Sequence, residues 1–212
     1  MKTTFLHINL LSETTPGKGR GSSVEVDNEV DHDEYGLPVI SGRTIQGLLR
    51  GTWQAFAGAF PELEGPGRAV FGRPGANQDV CITWIGDAQL PEYVRMTVRK
   101  AIERKNKPLD RERILLSLTH KRHQTALDRG TGSSRTGSLR TSRVLLPGLI
   151  LISPVIWHRD PSVEEVRCFA MAVLGTRRLG AGVTRGRGYV RIDIDGDPAL
   201  APRLAGLEVK PT

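Results

Sequence analysis

The chain has 212 residues, 38 % hydrophobic and only 5 % aromatic, with 30 Lys and Arg against 23 Asp and Glu for a net charge of +7. That length suits one domain with a large insertion, or one and a half domains, around an aliphatic core. The basic balance favours a polyanionic partner, nucleic acid first, and two cysteines without metal-ligand spacing exclude a disulfide scaffold and a thiolate metal site.

Thr3 to Leu11 reads as a first strand, and Ser12 to Ser23 as a Gly- and Lys-rich loop. Val24 to His32 alternates, with acids at Glu25, Asp27, Glu29 and Asp31, and Leu37 to Ile40 is a short extended run. Ile45, Leu48, Leu49, Trp53 and Phe56 fall at helical spacing and predict a helix from Thr44 to about Phe60, which Pro61 ends. Glu62 to Asn77 reads as a Gly/Pro loop, and Val80 to Ile85 as a strand that Gly86-Asp87-Ala88 leaves. Tyr93 to Asp110 is strongly basic and fits either a surface helix or a flexible insertion. Arg113 to Thr119 predicts a strand leading into His120-Lys121-Arg122-His123, two histidines expected to face RNA.

Leu127 to Arg143 is rich in Gly, Ser, Thr and Arg, which predicts a long hairpin or loop with no core role. Leu149 to Trp157 predicts a strand, Val163 to Leu174 a helix and Tyr189 to Ile194 the closing strand. The tail after Gly196 reads as surface or a minor edge element. Cys81 and Cys168 read as buried free thiols, Trp53 and Trp84 as core, and Trp157 as a neighbour-subunit contact. Two prolines and a glycine break the longest apolar stretch, Val144 to Trp157, so no membrane span is expected. No long apolar run precedes Thr14, so no signal peptide is expected, and the expected location is the cytoplasm.

This order of elements predicts an α+β fold with a ferredoxin-like (RRM-like) βαββαβ core. A single domain would span 1–212, with its core at about 1–60 and 145–195 and the insertion and a thumb-like hairpin at about 61–144. Such sheets commonly bind single-stranded RNA through exposed aromatics, and only Phe5 and Tyr189 are candidates here. Loops and arginines must then carry more of any binding.

Between Thr176 and Tyr189 lie four glycines, Gly180, Gly182, Gly186 and Gly188, and four arginines, Arg177, Arg178, Arg185 and Arg187. Glycine lets the backbone approach a ligand closely, and the planar guanidinium fits phosphate oxygens. The segment leads into the last strand and lacks a P-loop Lys-Ser/Thr pair, which sets it apart from nucleotide-binding loops. Arg43 and Arg50 stand on the first helix, whose early amides at Ser41-Gly42-Arg43-Thr44 are placed to meet a phosphate. The Thr44 hydroxyl has a capping role as the simpler alternative. Arg129, Arg135 and Arg140 punctuate the hairpin and suit sequence-independent backbone contacts. Asp128 is expected to brace Arg129 or Arg135.

Four motifs occur in order: Val26-Asp27-Asn28-Glu29-Val30 with Gly36 to Arg50; Val70-Phe71-Gly72 followed by Gly86-Asp87-Ala88; Ala126 to Leu139 with Leu146-Pro147-Gly148; and the Gly180 to Gly188 loop. In these the chain resembles the RAMP-type proteins of CRISPR effector complexes. It is most similar to the repeated Csm3-like Cas7-class backbone subunit of type III complexes. The resemblance implies a subunit that stacks with copies of itself and other Cas subunits along a guide RNA (crRNA), with a thumb kinking the guide–target duplex. It further implies metal-dependent cleavage of target RNA at each kink, with Mg²⁺ or another divalent cation, and the matching aspartate is Asp27. The chain carries Glu29 where the family usually has Pro. By residue type alone Asp27 belongs to a solvated acidic loop, and His32 is a candidate general acid or base or a surface residue. The alternatives are an inactive structural or capping subunit, or a general single-stranded RNA-binding protein.

Overall fold

The computed structural model describes residues 2–17, 26–72, 81–104, 109–126, 128, 130–135 and 137–207. The fold is a mixed α/β arrangement of two antiparallel sheets. The main sheet contains β1 (Lys2–Leu10), β2 (Val39–Ile40), β3 (Thr83–Ile85), β4 (Ala88–Gln89), β7 (Ile150–Trp157) and β8 (Val190–Ile194). Its order is β2-β4-β7-β1-β8, with β3 also pairing β7. A separate hairpin joins β5 (Thr119–Gln124) to β6 (Arg140–Leu145).

Period-two patterning explains which face of the main sheet is covered. Leu6, Ile8 and Leu10 of β1, Leu151, Val155 and Trp157 of β7, and Val190, Ile192 and Ile194 of β8 are all buried. Register brings Leu6 opposite both Ser153 and Ile194. Above them lie α1 (Gly42–Phe56), α2 (Glu64–Phe71) and α5 (Val163–Gly175), which contribute Ile45, Leu49, Trp53, Val70, Phe71, Phe169 and Val173. Each fully buried side chain of this kind stabilises the fold by about 1.5–3 kcal/mol. Sparse as aromatics are, they form the spine of this core: Trp53 stacks on Phe71, Phe71 on Phe169, and Trp157 meets Phe169 edge-on at 5.3 Å.

Several local expectations change. Helix α2 occupies the expected Gly/Pro loop, because Pro66 falls in its first turn, where no N–H is required. Gly67 lets α2 approach the Trp53 indole, which an added Cβ would meet at 2.3 Å. Arg113 to Leu118 is helical within α4 (Arg111–Leu118), since the Asp110 carboxylate caps it by accepting from the Arg113 amide at 2.8 Å. The basic stretch after Pro91 is helix α3 (Glu92–Glu103), with 105–108 outside the described residues. Trp84 is half exposed on the open face of the sheet, whereas Trp157 is buried and donates its indole N–H to Thr4 Oγ1 at 3.3 Å. Both thiols are buried and free, and burial pushes Cys168 up to about 11. The tail forms α6 (Leu200–Leu204). Among the described residues no helix is long and apolar enough to cross a membrane.

Candidate nucleic-acid interface

The hairpin is cationic along its length and two-sided. Gln124 pairs with Arg140 and Arg122 with Ser142, while His123 pairs with Thr141 and Lys121 with Arg143. Cross-strand partners share a face, so the two sets point to opposite sides. The connecting turn is stapled locally. Asp128 Oδ1 accepts from the Gly130 and Thr131 amides at 2.9 and 3.0 Å, and these bonds hold its carboxyl below the usual range. These bonds make an Asx turn; of the two arginines expected to be braced by Asp128, Arg129 lies outside the described residues. Arg135 donates its amide to the Ala126 carbonyl at 2.8 Å, closing the turn and leaving its side chain exposed.

The Gly/Arg segment folds back on itself before β8. All four glycines have positive φ, and two of them show why no side chain fits. A Cβ on Gly180 would lie 2.3 Å from the Thr15 carbonyl, and one on Gly182 would lie 2.5 Å from the Arg187 guanidinium. Arg178 turns inward. Its Nη1 donates to the Val183 and Arg187 carbonyls, both at 3.1 Å, and its guanidinium lies 3.2 Å from the Tyr189 ring centroid. It braces the loop that carries Arg185 and Arg187. Arg185 Nη1 reaches Gln124 Oε1 at 3.1 Å and ties the loop to the hairpin.

Between loop and hairpin lies a cleft of about 670 Å³ lined by Arg135, Arg140, Arg185, Arg187, Thr15 and Asn28, among others. No acidic residue is among its described lining residues. Arg187 is only 7 % exposed, and its Nε and Nη1 have no hydrogen-bond partner. Thr15, 1 % exposed, likewise leaves Oγ1 unsatisfied. Burial above all, then the Arg122 charge, holds the Arg187 guanidinium below its ordinary range, while Glu13 opposes the shift. Glu13 is itself committed to Arg122 and to His120 Nε2 at 3.2 Å. A buried guanidinium without a counter-charge is costly, and an anion in the cleft would remove that cost.

Asp27 to Glu29 of the acidic run lie along the outer edge of β6. The Asp27 amide donates to the Thr141 carbonyl at 2.8 Å, and the Thr141 amide donates to Asp27 Oδ2 at 2.7 Å. The Arg143 amide donates to the Asn28 carbonyl at 2.9 Å, and Arg143 Nε donates to Glu29 at 2.7 Å. Ser142 and Arg143 are therefore buried despite the polar composition that excluded them from the core. Asn28 contacts Ser142 on the cleft side, so alternation puts Asp27 and Glu29 on the other side of the hairpin. His32 has different neighbours: its Nδ1 stands 3.1 Å from the Asp33 carbonyl and 3.4 Å from Arg111 Nη2. Among the described residues no group of three His, Cys, Asp or Glu side chains is placed to hold a metal ion.

Helix α1 begins differently from expectation. Asp87 Oδ1 accepts from the Gly42 amide at 2.8 Å, which engages one of the early amides within the protein, while Thr44 is exposed and makes no capping bond among the described residues. Arg43 is exposed, Arg50 lines a separate hollow beside Trp53 and Arg68, and Arg177 is exposed ahead of the Gly/Arg loop. Of the nine arginines singled out in the sequence, four line the cleft and one braces it. Thr15, Asn28 and Gln124 were not singled out as binding residues, because an isolated neutral polar residue carries no periodic or charge signal.

Solved structures share the arrangement. A chain of the type III-B Cmr-beta complex bound to cognate target RNA, seen by cryo-EM, superposes with TM-score 0.66 at 13 % identity, covering 93 % of this chain and 99 % of that one. The apo state of Cmr-beta gives 0.66 at 14 %, covering 92 % and 98 %. Oligomeric Cmr4 from Pyrococcus furiosus gives 0.54 at 13 %, covering 92 % and 98 %. At such identities the likeness concerns the fold. No curated protein sequence matches. The RAMP superfamily profile, however, matches residues 7–191 and so takes in the acidic run, the hairpin and the Gly/Arg loop alike; the chain belongs to the RAMP superfamily.

Proposed function

We propose that this chain is a Cas7-class backbone subunit of a type III CRISPR effector complex, holding guide RNA and cutting paired target RNA at regular intervals. The observation that carries the reading is the cleft in which Arg187 and Thr15 are buried without partners among otherwise cationic lining. A phosphodiester strand in the cleft would offset the Arg187 charge, and contacts to the backbone leave sequence choice to base pairing. The order β8-β1-β7-β4-β2, with the short β4 between β7 and β2, supports reading the main sheet as a ferredoxin-like core with an added strand and the β5–β6 hairpin as its thumb. Likeness in fold to Cmr-beta bound to target RNA and to oligomeric Cmr4 supports RNA, copies of itself and other Cas subunits as partners. A cytoplasmic complex with no membrane partner follows from that reading.

The hairpin's two faces divide the work. Guide backbone lies in the cleft, and target RNA passes the opposite face, where Asp27 is exposed. One carboxylate, with Oδ2 already accepting from Thr141, fits Mg²⁺ only if RNA oxygens and water complete the shell, as Mg²⁺ commonly binds. Asp27 would hold it, and a bound ion would offset charge at the scissile phosphate. A second reading, the same scaffold without chemistry, draws on the same Thr141 bond, which makes the Asp27 carboxylate part of the loop's own structure. The test compares wild type and Asp27→Ala on labelled guide-complementary RNA in the assembled complex with Mg²⁺. Regularly spaced products lost in the variant, with binding kept, support the nuclease. Tight binding with no cutting by either supports the scaffold, and failure to hold guide RNA sinks both.

A further inference from the structure

Asp27 is not alone on its face of the hairpin. His123 stands opposite Thr141 in the β5–β6 register. Its Nδ1 lies 2.9 Å from Thr141 Oγ1, while the Thr141 amide donates to Asp27 Oδ2 at 2.7 Å. One threonine thus holds an imidazole with its hydroxyl and a carboxylate with its backbone. Both side chains are exposed. The Thr141 contact fixes the ring through Nδ1 and leaves Nε2 of the exposed ring without a partner among the described residues. The charged neighbours on this face are accounted for: Arg143 is buried and paired with Glu29, and Lys121 is the cross-strand partner of Arg143. An oriented imidazole beside a carboxylate, both open to solvent, is the arrangement of an acid–base site and not of a packing histidine.

We propose that His123 is a catalytic residue, the general acid that protonates the leaving oxygen when target RNA is cut; the proposal rests on the ribonuclease reading above. In the step, a 2′-hydroxyl oxygen of the target bonds to the adjacent phosphorus and loses its proton to solvent water. The bond from phosphorus to the 5′-oxygen breaks, and that oxygen takes the proton from His123 Nε2. The products are a 2′,3′-cyclic phosphate and a 5′-hydroxyl, and His123 regains its proton from solvent. Thr141 is the positioning residue that couples the ring to the Asp27 loop.

The test uses the full chain assembled on guide RNA, with two complementary targets. One is ordinary RNA; the other carries sulfur in place of the bridging 5′-oxygen at the cut position, a leaving group that departs without a proton. His123→Ala and His123→Gln, the second retaining a hydrogen-bonding group for Thr141, are expected to slow cutting of ordinary RNA by roughly 10²–10³-fold with target affinity unchanged. Both are expected to cut the sulfur-linked target at close to the wild-type rate, whereas Asp27→Ala stays slow on both. Equal slowing on the two targets, a loss of affinity in place of rate, or wild-type cutting by both variants overturns the proposal while leaving the nuclease reading intact. No cutting by wild type overturns the nuclease reading and this proposal with it.

Discussion

Arg143 donates to Glu29 at 2.7 Å, with the two side chains only 8 % and 11 % exposed, across 114 residues of sequence. Arg143 Nη1 also reaches Thr119 Oγ1 at 3.4 Å, so the guanidinium bridges the acidic loop and both strands of the hairpin. The loop bearing Asp27 is thus fastened to the β5–β6 hairpin by charge. Removing either partner leaves the other buried and unpaired, which costs about 3–5 kcal/mol. Glu29→Gln and Arg143→Met are each expected to lower unfolding free energy by that order. The double variant Glu29→Met/Arg143→Met should cost clearly less than the sum. Denaturant titration checks this, and single-variant losses under about 1 kcal/mol would mean that the pair does not clamp the loop.

Arg187 predicts an opposition between stability and binding. Its charge is buried with Nε and Nη1 unpaired, so Arg187→Met should leave the RNA-free protein as stable or more so. The same change should weaken guide-RNA binding by about tenfold or more, and flatten the dependence of log affinity on log salt by about one phosphate contact. Thermal melts and a salt series of RNA-binding titrations read the two effects separately. A variant that is less stable yet binds RNA normally would assign Arg187 to the fold instead.

The start of α1 depends on a residue 45 positions away, Asp87, whose carboxylate takes the Gly42 amide. Asp87→Ala should cost about 1 kcal/mol, the usual worth of a lost cap. Gly42→Ala should cost more, because its Cβ would meet the Ile85 carbonyl at 2.1 Å. Unfolding curves of the two variants should therefore rank Gly42→Ala below Asp87→Ala, with both below wild type.

Helix α5 opens on a capping box between Ser162 and Glu165, and Arg159 clamps the buried Glu165 carboxylate. The Arg159 hydrogen bonds first, with help from the Ser162 amide and against the opposing effect of burial, hold the Glu165 carboxyl below the usual carboxylate range. A depressed folded-state value makes this stabilisation complete above the unfolded value of about 4.3 and progressively lost as pH falls through the folded one. Glu165→Gln should lower stability by about 1 kcal/mol or more at pH 7. The gap to wild type should narrow toward pH 3. A gap that stays constant across that range would remove the charge from the explanation.

The legible parts of this chain were those with a local signal. Leu6, Ile8 and Leu10 alternate, Ile45, Leu49 and Trp53 repeat at helical spacing, and each pattern led to the right element within a few residues. The Gly/Arg loop declared itself by composition, and its Arg185 and Arg187 line one cleft with Arg135 and Arg140 of the hairpin. Misreadings fell where propensity and packing compete. Helix α2 survives its Gly and Pro because Gly67 seats against Trp53, and α4 forms because Asp110 caps it.

What the sequence by itself determined was the inventory: which segments could be strand or helix, that basic residues outnumber acidic ones, and that one short segment concentrates glycine and arginine. Those follow from the repeat of side chains along the backbone and from the net charge, both local or summed properties. Only the tertiary structure decided which charges are free and which are engaged. Arg178 and Arg187 stand nine residues apart in the same Gly/Arg segment, yet one is bound to two carbonyls and the other lines a cleft with Nε and Nη1 unpaired. Asp27 and His123 are distant in sequence but meet on Thr141. The reason is that a hydrogen bond or ion pair depends on separations of about 3 Å, and these are set by the register between β5, β6 and the acidic loop, which no single segment of the chain contains.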